Sequence, residues 1–109
     1  MSKLYIDDLR YPPDSSWALA RDIAGAIAYV LNNGCPDEIS FDYCLQKGQN
    51  IMPFIEWLIE QDKKQTGFIP DGFVFDSHSS SAFGTQMIYD VLNTYLQSRK
   101  NTKKTNKSD

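Results

Sequence analysis

Three short apolar stretches of this chain end on acid: Lys3-Leu4-Tyr5-Ile6-Asp7-Asp8, Glu38-Ile39-Ser40-Phe41-Asp42 and Gly72-Phe73-Val74-Phe75-Asp76. Each is built of β-prone residues, and the segments between them carry apolar residues at helical spacing. This alternation predicts strands lying parallel in one sheet. Parallel strands share a carboxyl edge, where open α/β sheets hold their ligands. Asp7, Asp8 and Asp42, with Asp76 after them, are therefore expected on one rim. Carboxylates crowded there relieve their repulsion by taking up a hard divalent cation.

The remaining elements follow from local signals. Pro12-Pro13 stop the first strand and stiffen the loop after it, because proline lacks a backbone donor and biases its predecessor toward extended geometry. Trp17 to Ala20 read as a short second strand. Asp22 is placed to cap a helix from about Ile23 to Asn32, with Ile23, Ile27, Val30 and Leu31 on one face and Asn33-Gly34 as its left-handed stop. A second helix carries Ile51, Phe54, Ile55, Leu58 and Ile59, with Pro53 tolerated in its first turn. A third runs from about Ala82 to Ser98, capped by one of Ser79 to Ser81, with Met87, Ile88, Val91, Leu92, Tyr95 and Leu96 as its buried stripe. The order β, β-α, β-α, β-α predicts an α/β fold: about four mostly parallel strands with helices on both faces.

A chain of 109 residues fits one domain and one core. Residues 1–98 are read as that domain and 99–109 as a basic, disordered tail. The tail holds Arg99, Lys100, Lys103, Lys104 and Lys107 against Asp109, so the first 98 residues keep 6 basic and 13 acidic side chains, a net charge of −7. Such a body is a poor surface for nucleic acid. No apolar run approaches a membrane span and no signal-peptide pattern opens the chain, so a cytoplasmic protein without membrane contact is expected. Cys35 and Cys44 make no disulfide framework and read as reduced thiols.

Candidate chemistry gathers on the predicted rim. Asp7, Asp8 and Asp42 could share one Mg²⁺ or Mn²⁺, since neighbouring strands lie about 4.8 Å apart. Strand-end acids also serve as turn residues and helix caps. His78, the sole imidazole, follows the last strand, and Ser79 stands beside it just before a helix start whose free N–H groups favour anions. His78 is thus a candidate general acid or base and Ser79 a phosphate ligand, against the plainer role of closing a strand end. Arg10, braced by two prolines, can reach a phosphate or make a surface ion pair with Asp8. Trp17 and Trp57 stand in apolar surroundings and read as core.

At these residues the sequence resembles the cyclic-phosphate-processing receiver-like domains. The Asp-Asp-x-Arg-x-Pro opening at Asp7 to Pro12, the stretch Trp17 to Arg21, Ile39 to Asp42, Trp57-Leu58, and His78-Ser79 with Gly84 follow the family's order from residue 3 to about 96. The resemblance implies a small receiver-like (flavodoxin-like) fold, with Asp7 and Asp8 as an acidic pair on Mg²⁺ and Asp42 as the central aspartate. It also implies a cyclic phosphate ligand: a terminal 2′,3′-cyclic phosphate at an RNA 3′ end, or a phosphate-containing nucleotide. The expected activity is metal-dependent phosphoesterase chemistry, with Asp42 and His78 catalytic and Arg10 and Ser79 on the phosphate.

One departure bears on turnover. Where the family continues its central aspartate as Asp-His-Asp-Leu, this chain reads Asp42-Tyr43-Cys44-Leu45. Two charge-bearing groups are replaced, and phosphoryl transfer depends on positioned charge. Two alternatives follow: a non-catalytic protein-interaction module on the same scaffold, and a phospho-accepting receiver with Asp42 as acceptor. The second lacks the lysine a receiver would place near Ser79.

Overall fold

The computed structural model describes residues 2–107, with side chains described through residue 101. Four strands, β1 (Lys3–Ile6), β2 (Ala18–Ala20), β3 (Glu38–Phe41) and β4 (Val74–Ser77), form one sheet in the order β2-β1-β3-β4. All three pairings are parallel. This is the flavodoxin-like strand order without a fifth strand, and its winding reverses between β1 and β3. Asp7 leaves β1 and Asp42 leaves β3 at that reversal. Three helices complete the domain: α1 (Ile23–Asn33), α2 (Met52–Lys64) and α3 (Ala82–Lys107).

The helix ends follow the local chemistry. Asp22 accepts from the Gly25 N–H at 2.7 Å, and Gly34 stops α1 at φ 84° while its N–H reaches the Val30 carbonyl. Pro53 sits in the first turn of α2, where its missing N–H would have had no helical partner. Ser81 opens α3 by accepting from the Gly84 N–H at 2.9 Å.

Period two divides the strand residues between the faces of the sheet. Leu4, Ile6, Ile39 and Phe41 point to one face and form one core with Ala26 and Val30 of α1, Phe54, Ile55 and Leu58 of α2, and Ile88 and Leu92 of α3. Each of the larger side chains in this core contributes about 1.5–3 kcal/mol, and truncating Phe41 to alanine would cost about 3–5 kcal/mol.

All three helices therefore lie on one face, and the expected covering of both faces is not found. The reason is handedness. Both helical crossovers, β2 to β3 and β3 to β4, move the same way along the sheet, and right-handed connections then fall on one side. The link from β1 to β2 moves the other way but is a proline-stiffened loop without a helix. The opposite face carries Lys3, Tyr5, Leu19, Ser40 and Asp76, with Val74 55% exposed on it. Trp17 meets the Tyr5 ring edge-on at 5.9 Å, and the Lys3 ammonium lies over the Trp17 ring.

A second difference concerns the chain's end. Helix α3 does not stop at Ser98 but continues to Lys107. Arg99, assigned by its charge to a tail, falls on the stripe of Ile88, Leu92 and Tyr95 and is drawn into the body, where its Nη1 lies 3.1 Å from Asp62 Oδ1. Nothing after Ser98 in the sequence breaks a helix. Residues 108 and 109 of the expected tail, and the side chains of 102–107, lie outside the described residues.

Candidate functional site

The rim is built from three strand ends. Asp7 is 1% exposed, and its Oδ1 accepts from the backbone N–H groups of Leu9 and Arg10, each at 2.8 Å. The chain can turn out of β1 here because this one carboxylate satisfies two backbone donors that the sheet no longer can. Arg21 fastens the same turn, donating from Nη1 to the carbonyls of Arg10 at 2.8 Å and Asp7 at 3.3 Å. Tyr11 rests against its guanidinium.

His78 follows β4 and is held to β3 by its N–H on the Phe41 carbonyl at 2.9 Å. Its ring lies flat on Tyr5, centroids 4.2 Å apart and planes 6° apart. In that plane Nε2 sits 2.9 Å from Asp7 Oδ2, and Nδ1 sits 2.7 Å from Ser40 Oγ. Asp42 completes the group. Among the described residues, Asp7, Asp42 and His78 each offer a donor atom, and these atoms lie within 4.8 Å of one another.

The two carboxylates differ in electrostatics. Burial pushes Asp7 up, but the Arg10 and Leu9 N–H groups and the His78 imidazole outweigh it and hold its carboxyl below the usual value. For Asp42 burial acts first, the charge of Asp7 adds to it and that of Asp8 adds a smaller part, while His78 and Arg10 offset only some of the rise. Its carboxyl is held above the usual value, and no hydrogen bond enters among the causes. An electron-rich group in this position gains from a proton or a metal cation.

The predicted residues do not all arrive at one point. Asp7, Asp42 and His78 converge, whereas Asp8 is outside the tight trio and acts on Asp42 through charge. Arg10 leans across the rim and donates to the His78 carbonyl at 3.3 Å. Ser79 Oγ accepts from the Ser81 N–H at 3.1 Å, inside the turn that opens α3. Asp76 is the register partner of Ser40 and lies exposed on the helix-free face. Sequence reasoning passed over Ser40 and Tyr5. The usable signal was period two: Ser40 interrupts Ile39 and Phe41 two residues before Asp42, on the same face.

The departure at Tyr43-Cys44 has a structural use. A Cβ on Gly84 would run into the Tyr43 ring, so the first turn of α3 and this ring are fitted to each other, and Phe83 meets Tyr43 edge-on. Cys44 is exposed and pairs with Asn50 in an isolated antiparallel bridge. Leu9, Tyr11 and Phe83 are exposed apolar side chains on segments that leave this edge. No helix of the described residues is long and apolar enough to cross a membrane.

A parallel sheet in receiver order, with a buried aspartate after its first strand and a partly buried one after its third, defines a receiver-like α/β domain. Residues 2–94 match the family model of the cyclic-phosphate processing receiver domain. The chain belongs to that family. Searches of curated proteins and of solved structures returned no match.

Proposed function

We propose that this domain binds a phosphate-containing ligand of the cyclic phosphate class through a divalent cation held by Asp7, Asp42 and His78. The observation that carries this reading is the trio itself: three ligand atoms within 4.8 Å of one another, one of them on a carboxylate raised by burial and by the charge of Asp7 and without a hydrogen-bond donor among the described residues. Two oxygens and an imidazole nitrogen suit Mn²⁺ better than Mg²⁺, which prefers an all-oxygen shell. A bound divalent ion would polarise a phosphoryl oxygen and acidify water at the rim.

The chain's own residues supply the rest. Asp8 adds negative charge that strengthens cation uptake. Arg10 brings a guanidinium to the same edge, suited to a phosphate oxygen, and Ser79 offers its hydroxyl beside the start of α3. The catalytic roles of Asp42 and His78 reduce in this reading to holding the ion and setting its charge. Binding without turnover is the second reading, favoured by Tyr43, whose ring packs against Gly84 where the family carries histidine.

The test is calorimetry of the purified chain with Mn²⁺ and Mg²⁺, followed by 2′,3′-cyclic mononucleotides in the presence of the ion. Expected are uptake of one ion that Asp42→Asn abolishes, and nucleotide binding that requires the ion. Product release measured in the same samples separates an enzyme from a binding module. Absence of ion uptake by the wild-type chain would end the proposal.

A further inference from the structure

Ser40 is part of no expected site, yet it touches the one imidazole of the chain. Its hydroxyl lies 2.7 Å from His78 Nδ1, and the residue is 5% exposed. A substrate cannot reach so enclosed a hydroxyl, so any role it has is exercised through His78.

Proton placement on the ring follows from its two neighbours. Asp7 is an ionised acceptor, because two backbone N–H groups already converge on its Oδ1. In the neutral imidazole one nitrogen donates and the other accepts. Facing Asp7, Nε2 must therefore carry the proton, and Nδ1 accepts from Ser40. That arrangement conflicts with a metal ion, which needs the Nε2 lone pair. The ring cannot resolve the conflict by turning over, since it is stacked on Tyr5 and pinned in plane at both nitrogens. Only the proton can move. A backbone carbonyl or N–H at the Ser40 position would fix one tautomer, but a hydroxyl donates or accepts with equal ease.

We propose that Ser40 is a positioning residue whose reversible hydroxyl lets the His78 proton pass from Nε2 to Nδ1, freeing Nε2 to bind a divalent cation beside Asp7 and Asp42. The shift is a tautomerisation: the bond Nε2–H breaks, Nδ1–H forms by exchange with water, and the ring's charge is unchanged. Ser40 turns from donor to acceptor as this happens. The inference rests on the rim being a cation site.

The test uses Zn²⁺ as a diamagnetic probe and the ¹⁵N-labelled full chain. With one histidine in the sequence, its two ring nitrogens are assigned without ambiguity by long-range ¹⁵N–¹H correlation. At a pH where the ring nitrogens themselves report a neutral imidazole, the metal-free chain should show the Nε2–H tautomer and the Zn²⁺-saturated chain the Nδ1–H tautomer. Ser40→Ala should weaken Zn²⁺ binding by about 10–100-fold, the usual effect of removing the partner of a ligating histidine, and Ser40→Thr should restore most of it. A proton that stays on Nε2 in the saturated wild type overturns the proposal while leaving the cation site standing. So does undiminished Zn²⁺ affinity in folded Ser40→Ala. No Zn²⁺ uptake by the wild type removes both. The wild-type spectra decide the matter even where Ser40→Ala fails to fold.

Discussion

Two buried aspartates hold opposite ends of this domain, and their surroundings could hardly differ more. Asp62, 2% exposed near the end of α2, receives the Tyr95 hydroxyl at 2.6 Å, the Ile69 N–H at 2.9 Å and the Arg99 guanidinium at 3.1 Å to both oxygens. Arg99 donates further to the Ile69 carbonyl at 2.7 Å. Burial would raise Asp62, and these partners together bring it below the usual value; Tyr95, half-buried and bonded to this carboxylate, is pushed up to about 12 by desolvation and by Asp62. Asp7 is as buried and also lowered, but next to it stands Asp42, raised and without a donor. Ile69 precedes β4, so the Asp62 group closes the amino edge of the sheet, and the Asp7 group opens the carboxyl edge. A charge-matched, fully bonded cluster stabilises; a cluster with surplus negative charge is where the proposed cation would gain most.

The largest way to break this contrast is at the closed end. Arg99→Ala should lower stability by about 3–5 kcal/mol, because it leaves the Asp62 charge buried beside Tyr95 without its cation. Urea unfolding measures the loss, and a change under about 1 kcal/mol would mean that α3 does not need this anchor. Next comes the wall of the open end. Gly84→Ala forces a methyl into the Tyr43 ring and should cost about 1–3 kcal/mol. In the Tyr43→Ala background that cost should largely vanish, a coupling that a double-mutant cycle reads directly.

The sign itself should reverse between the two ends. Asp62→Asn destabilises, whereas Asp42→Asn should stabilise the metal-free chain by about 0.5–1 kcal/mol, since it removes repulsion from Asp7 and Asp8. Thermal melts of both variants check this, and loss of stability in Asp42→Asn would show that Asp42 is held by a partner after all. The smallest effect is in pH. Asp7 and Asp62 have lowered folded values, so their stabilisation is present above the ordinary carboxylate value of 3.8 and is lost as pH falls through their own, lower values. Asp42 is raised, so its contribution is full below 3.8 and is lost as pH rises through its folded value. Urea midpoints taken downward from neutrality should therefore rise slightly before acid unfolding begins. In Asp42→Asn that rise should be absent.

Much of this was legible in the chain, for reasons that differ by residue. The acids that end β1 and β3, the Asp22 cap, the Gly34 stop and the Asp7–Asp42–His78 meeting follow from local patterns joined to the parallel topology, whereas Asp76 falls inside β4 and not at its end. What could not be read was which side chains face each other across non-adjacent elements. Asp62 continues the stripe of Ile55 and Leu58, and Arg99 continues that of Leu92 and Tyr95; a charge on each apolar stripe was the visible sign that the two would pair. Ser40 was hidden by its apolar neighbours. The helix-free sheet face required counting crossovers by direction, not elements by type.

The carboxylates of the trio issue from β1 and β3, the two interior strands, each hydrogen-bonded on both flanks. His78 issues from β4, which has a single neighbour. Edge strands open more readily than central ones. The trio is accordingly two posts set inside the sheet and one on its border, so loss of the β3–β4 pairing, which carries the His78 N–H on the Phe41 carbonyl, would remove the imidazole and leave both acids in place.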